Sequence, residues 1–314
     1  MLLGGFAAGW INEYYGWRKT FVILGLPGVL LGILAWLVLR EPRRMAGRSL
    51  RRIAQREQGE SRNSSEAAAR ASGDQKKHRT LKQVAGVLAK NVTFRHLLIA
   101  YTTLNFCAYG TFQWLPSFFI RTHGFTTGEL GTWQLIIWAV IGTGATYAGG
   151  AVVHRFAPSD ERQQLRLISC SLVLFCGLTI LVYLSAHRYV AIGILMLAAP
   201  FYTGIFGPML AVNQSVVPEH MRATAVALML FFANLIGMGL GGFTVGVLSD
   251  ALAPLYGRDS LRHSLIALSP VWLWCAFQFW KASRTVALDI ERAQSEAAER
   301  DPAHDLQPTI SSTT

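Results

Sequence analysis

Along one apolar run, Thr102, Asn105, Tyr109 and Gln113 are spaced so that, at ~100° per residue, they share an arc of about 80° on a helix. Their neighbours are mostly Leu, Phe and Ala. Four neutral hydrogen-bonding groups cannot do covalent chemistry, but they can line a cavity and touch a solute, or bond a neighbouring helix at ~0.6 to 2 kcal/mol per contact. A second polar face carries Tyr202 and Asn213, with Gln214 adjacent, in a run where Pro200 and Pro208 free backbone carbonyls and permit bending. Asn234 heads a glycine-rich run, and can pack or touch substrate. Trp114, Trp133 and Trp138 can stack on a ligand or anchor at a membrane interface.

Reactive chemistry is what these residues do not offer. No Ser/His/Asp set, carboxylate pair or Cys/His pair lies together on one loop, and His154 and Asp160 are spaced His-x5-Asp, one residue too far for the His-x4-Asp of acyltransferases. Cys107, Cys170, Cys176 and Cys275 fall inside apolar runs without metal-site spacing, and read as packing residues. The chain is therefore expected not to be an enzyme, with no cofactor and no metal. No Asp, Glu, Lys or Arg occupies the middle of a complete apolar run. Any ion coupling that needs an intramembrane charge must then lie elsewhere.

The elements that position these groups are membrane helices. Of the 314 residues 52% are hydrophobic and 15% charged, with a mean hydropathy of +0.32, too little charge for a soluble domain. After the apolar start MLLGGFAAGW comes a complete run from Phe21 to Leu39. Polar, basic sequence follows to about Lys90, with a low-complexity centre, and reads as a flexible linker with amphipathic helical ends. Six more runs cover about 97–120, 128–153, 167–184, 190–216, 223–248 and 264–280. Each suits a hydrocarbon core of ~30 Å, which takes about 20 residues of helix. The expected parts are 1–42, a basic linker 43–92, a bundle 93–282 and a polar tail 283–314.

A net charge of +11 does not imply nucleic acid, because the basic residues gather in one loop. Of 29 Lys and Arg, all but Arg18, Lys19, Arg121, Arg188, Arg258 and Arg262 fall on the linker side of the alternating runs. That side is expected to be cytoplasmic, and the C-terminus with it.

The stretch NLIGMGLGGFTVGVLSD, from Asn234 to Asp250, repeats small-xxx-small spacing at Gly237 and Gly241, then at Gly242 and Gly246. Interior glycine costs up to ~1 kcal/mol in a soluble helix, yet between membrane helices it lets two backbones approach. LGGFAAGWIN from Leu3 echoes LGGFTVGVLS from Leu240, so Gly4, Gly5 and Gly9 are matching packing candidates. The copies lie 237 residues apart, beyond any solenoid period and close to half of a repeat-built transporter.

A linker followed by six runs, the fifth repeating a helix before the linker, resembles the six-plus-six plan of the major facilitator superfamily. GWRKTFVILGLPGVLLGILAWLVLREPRR, WLPSFFIRTHGF, the GG-AVV-HR-F turn followed by DER, and VVPEHMRATAVALMLFFANLIGMGLGG resemble its Spinster-like branch. The resemblance covers nearly all of residues 1 to 285 apart from the linker centre. It implies an all-α integral membrane protein with a partial bundle: the end of helix five, then helices six to twelve. Equal halves would place roughly 140 residues, about four and a half helices, upstream of Met1.

The resemblance further implies a monomeric secondary transporter in the bacterial inner membrane, carrying small-molecule, amphipathic or lipid-like solutes by alternating access, often with proton coupling. The seventh helix would put Thr102, Asn105, Tyr109 and Gln113 beside the cavity. The turn with Gly150, His154, Arg155, Asp160 and Arg162, together with Arg222, would be a cytoplasmic latch of the Gly-xxx-Asp-Arg kind, although His154 replaces its Asp. The rival expectations are a truncated, non-transporting membrane protein and, further off, a membrane enzyme.

Overall fold

A chain this apolar must satisfy its backbone polar groups internally, and helices do so within each segment. The computed structural model describes residues 2–38, 86, 91–157, 160–217 and 221–298, and among the described residues there is no strand. Its helices are α1 (Leu2–Val38), α2 (Val92–His123), α3 (Thr127–Gln134), α4 (Gly142–Phe156), α5 (Glu161–Leu184), α6 (Arg188–Thr203), α7 (Phe206–Ser215), α8 (Arg222–Phe232), α9 (Gly239–Tyr256) and α10 (Ser260–Ala298). A π-helical segment, Leu135–Ile141, joins α3 to α4, and another, Ala233–Met238, joins α8 to α9. Five described stretches are long and apolar enough to cross a membrane. The linker 43–92, apart from its last residues, and the tail beyond 298 lie outside the described residues.

The described chain forms two units. One, within 15–80, contains the α1 residues after the break at Gly16, whose φ of 77° and ψ of 164° only glycine holds without strain. From Phe21 onward this part of α1 is apolar all round: Leu26, Val29, Ile33, Trp36 and Leu37 are all exposed, as suits a bilayer span.

The other unit, 1–14 with the chain from 81 onward, contains the bundle. Within it α10 packs along α2 and α5, α5 along α6, and α2 along the π segment 233–238 and α9. Two stacked apolar cores result. One gathers Leu97, Leu104, Leu172, Phe175, Val212, Trp272 and Phe279, the other Phe118, Phe119, Ile137, Tyr183, Ile192 and Leu265; Phe112 packs against both.

Small polar side chains tie the helices. Ser169 Oγ donates to the Ala276 carbonyl at 2.8 Å, and the thiols of Cys176 and Cys275 donate to the carbonyls of Ser269 and Ala100, each at 3.3 Å. Three of the cysteines are buried and all four are free, with Cys170 exposed. Burial and bonding to a neighbouring helix are what packing residues show.

One close approach is α2 against the glycine-rich segment. A Cβ on Gly237 would lie 2.6 Å from Asn105 Cβ, and one on Gly241 would strike the Phe106 carbonyl oxygen. Backbone cannot yield as a side-chain tip does. Gly241→Ala is therefore expected to destabilise the bundle by about 1–3 kcal/mol, read as a lower midpoint in thermal unfolding of the purified protein. Gly177→Ala, whose Cβ would have no atom within 4 Å, should not lower that midpoint.

Candidate substrate cavity

The glycine contact divides the α2 stripe. Asn105 and Gln113 back onto it: Gln113 meets the space a Cβ on Gly242 would fill, and Asn105 Nδ2 donates to its own helix at the Tyr101 carbonyl, 2.8 Å away. Beside them Trp114 Nε1 donates to the Gly242 carbonyl at 2.8 Å, and Cζ2 of the same ring lies 3.0 Å from a Cβ placed on Gly246. Thr102 is half-buried, and Tyr109 is exposed on a face that the bundle leaves open. At Gly4 and Gly5 an added Cβ would meet nothing within 4 Å, whereas one at Gly9 would sit 2.5 Å from the Thr127 carbonyl oxygen.

A break at Gly204 and Ile205 separates α6 from α7. It falls between the two prolines rather than at either: Pro200 lies inside α6 and Pro208 in the first turn of α7, where its missing N–H costs least. The break needs a close neighbour, and α4 provides it. A Cβ on Gly149 would run into Gly204, and the Thr146 hydroxyl lies 2.9 Å from the Gly142 carbonyl and 3.2 Å from that of Thr203. One side chain thus reaches a carbonyl exposed by the broken helix.

An aromatic knot surrounds this break. Phe112 of α2 stands 4.8 Å from Trp138, in the first π segment, and 4.9 Å from Tyr202, which in turn lies 5.3 Å from Phe206. All three contacts are edge-to-face, the favoured geometry for rings. About two turns beyond the break, Asn213 lines a cavity of about 250 Å³ with Tyr101, Met209, Met229 and Phe279. Its Oδ1 is buried and accepts no hydrogen bond from the described residues. The side chain of Gln214 falls outside the described residues. Asn234 is exposed in the second π segment, its Nδ2 donating to the Leu230 carbonyl at 2.7 Å.

The latch residues do not form one cluster. Gly150, His154 and Arg155 line a shallow groove on α4 with Thr146 and Tyr147. Asp160 caps α5, accepting from the backbone N–H groups of Arg162 (2.9 Å) and Gln163 (3.2 Å). Arg222 Nε donates to the Val217 carbonyl at 3.3 Å.

Sequence reading missed two polar ends of the bundle. At one, Trp10 Nε1 donates to Thr132 Oγ1 (3.0 Å), Glu13 accepts from the Gly128 N–H (2.8 Å), and Arg188 pairs with Glu129 (2.7 Å) while covering the Phe125 ring. His123, beyond the apolar run 97–120, has a buried Nε2 with no hydrogen-bond partner among the described residues; burial first, then Arg262 and Arg188, holds its pKa below the ordinary 6.5. At the other, buried Asp289 accepts from the Thr93 N–H at 2.9 Å, and His96 Nδ1 meets Gln278 Oε1 at 2.8 Å. Only the capping box of Thr126 and Glu129 left a signal that spacing could reveal.

Among the described residues no cluster of His, Cys, Asp or Glu could hold a metal ion. The family model of the Major Facilitator Superfamily matches residues 1–277. The chain belongs to the major facilitator superfamily. It is thus a multi-pass integral membrane protein of a transporter family. In the superfamily's order α2, α3–α4, α5, α6–α7, α8–α9 and α10 are helices seven to twelve, and α1 holds the end of helix five and helix six.

An MFS-type efflux pump of Mycolicibacterium smegmatis is 27% identical over 292 residues, which cover 92% of this chain and 61% of that protein. Among solved structures, a bacterial homolog of the human lysosomal transporter Spinster is similar in fold. In its inward-facing, unoccupied state it matches with a TM-score of 0.67 at 22% identity, over 91% of this chain and 65% of that one. In its inward-facing, occupied state the TM-score is 0.61 at 22% identity, over 91% and 64%. The chain therefore spans a little under two thirds of these relatives.

The cap at Asp160 separates two roles for that turn. Asp160→Ala should cost about 1 kcal/mol of thermal stability, as for a lost N-cap, and Asp160→Asn should cost little. A residue whose charge held a latch would instead show equal defects in both variants.

Proposed function

We propose that the protein is a secondary transporter of amphipathic, lipid-like organic solutes. It works by alternating access as two six-helix bundles rock about a site at mid-membrane, with coupling to protons. The observation that carries this reading is the aromatic knot of Phe112, Trp138 and Tyr202 at the α6/α7 break. It gathers apolar surface where the bundle's helices are interrupted and can bend. Membership of the superfamily and similarity to an efflux pump support it.

On this reading Tyr109, Tyr202 and Asn213 face the solute, together with Thr102 and Asn234. Asn105 and Gln113 act from the seam, setting how α2 rides on the glycine segment. Gly150, His154, Arg155, Asp160, Arg162 and Arg222 stay on the cytoplasmic side, in a bacterial inner membrane with the C-terminus inside and the carrier working as a monomer. The predominance of Lys and Arg on the linker side supports that orientation.

Uptake into proteoliposomes, with a panel of lysolipids, long-chain amines and apolar drugs and with or without a pH gradient, tests solute and coupling together. Saturable uptake of at least one amphiphile, increased by the gradient, is expected; no saturable flux for any of them overturns the reading. Tyr202→Ala should lower uptake about tenfold at unchanged membrane expression, and unaltered kinetics would return Tyr202 to packing. Reporter fusions at Ser64 and Ala253 should report cytoplasm and exterior respectively. The same compartment for both would overturn the orientation.

A further inference from the structure

The cavity beside Asn213 is built by the bundle alone. Its walls come from α2 (Leu97, Tyr101), α7 (Met209, Leu210, Asn213), α8 (Val226, Met229, Leu230) and α10 (Phe279). Leu210 and Leu230, respectively 54% and 46% exposed, flank its mouth, whereas Leu97, Met229 and Phe279 are buried. The opening therefore lies between α7 and α8, and the floor lies against α2 and α10.

Three features define what fits. At about 250 Å³ the cavity exceeds the 150 Å³ that admits benzene but falls below the ~300–1,000 Å³ that encloses a drug-sized molecule. It takes one arm of a ligand, not the whole. No charged side chain lines it, so a buried carboxylate, phosphate or guanidinium would have no partner there. Asn213 Oδ1 is a buried acceptor left without a donor by the described residues, and an acceptor in that position costs free energy until a donor meets it. Met209 and Met229 are unbranched and adaptable, so the walls can follow an alkyl chain.

We propose that this cavity is a binding subsite, within the helix seven–ten–eleven–twelve bundle, for a single alkyl arm of about eight carbons bearing a neutral hydrogen-bond donor such as a hydroxyl. The arm enters between α7 and α8, its chain lies along Leu97, Met229 and Phe279, and its O–H donates to Asn213 Oδ1. The inference rests on the transport reading for its purpose, since it seats one arm of an amphiphilic solute; the binding itself needs only the bundle.

The test is photolabelling of the protein in phosphatidylcholine nanodiscs with an octan-1-ol carrying a chain diazirine, compared with its methyl ether, and mapping of the adducts by mass spectrometry. The alcohol should label peptides containing Tyr101, Met209 or Met229, and excess octan-1-ol should suppress that labelling. The ether, which has no donor, should label the same peptides about five- to tenfold less, as expected for one lost hydrogen bond to a neutral acceptor. Asn213→Leu should bring the alcohol down to the level of the ether. Asn213→Ser, which keeps an oxygen acceptor, should retain a preference for the alcohol. Val226→Trp, filling the cavity, should abolish labelling by both probes.

Equal labelling by alcohol and ether in the unaltered protein would overturn the proposal. So would adducts that do not saturate and that extend equally to Leu255, which is 77% exposed elsewhere on the bundle. Because photolabelling reads binding and the proteoliposome assay reads flux, saturable flux without site labelling sinks the subsite and leaves transport standing. Labelling without flux does the reverse.

Discussion

In hydrocarbon a backbone carbonyl has no water to turn to, so every interruption of a helix must find its partner inside the protein. That constraint accounts for much of this bundle. The break at Gly204 and Ile205 persists because Gly149 lets α4 come into backbone contact and Thr146 reaches the Thr203 carbonyl. The buried start of α2 is met by Asp289 from α10 and by its own cap, Asn91. The two π segments keep hydrogen bonds running through rods that would otherwise be severed.

Where no polar partner is needed, close contact takes over. Between α2 and the segment around Gly241, glycines remove the side chains that would hold the backbones apart, and dispersion over the whole seam replaces a few strong bonds. The same closeness explains why Asn105 and Gln113 lie against that seam although their spacing marks them as a polar stripe. A polar residue that must avoid lipid has two refuges, an aqueous cavity or a neighbouring helix. Period alone does not distinguish them.

Much of the architecture was legible for simple reasons. Apolar runs and their lengths follow from what a bilayer accepts, so the helices could be read directly. The position of the α6/α7 break could be narrowed to the region of Pro200 and Pro208, but its site at Gly204 depends on Gly149, a residue in another helix. The π segments left no trace in composition, since they change hydrogen-bond register and not residue type. Asp289 looked like part of a solvated tail and is in fact buried, because its helix continues well past the apolar run. Of the proposed latch, Asp160 illustrates the limit: its sequence position suits a charged gate, while its carboxylate is engaged by the first N–H groups of α5.

The Thr146 hydroxyl has one proton and two carbonyls within reach, at Gly142 and Thr203. A donor shared in this way makes the joint tolerant of movement. If α6 shifts against α4 and the Thr203 oxygen draws away, the proton turns wholly to Gly142; if it shifts back, the bond divides again. Neither position leaves the hydroxyl without an acceptor, so the donor's side of the joint loses little, while the Thr203 carbonyl gives up this donor when it draws away. A side chain of two carbons and one oxygen can thus serve as the slack in an otherwise tightly fitted joint.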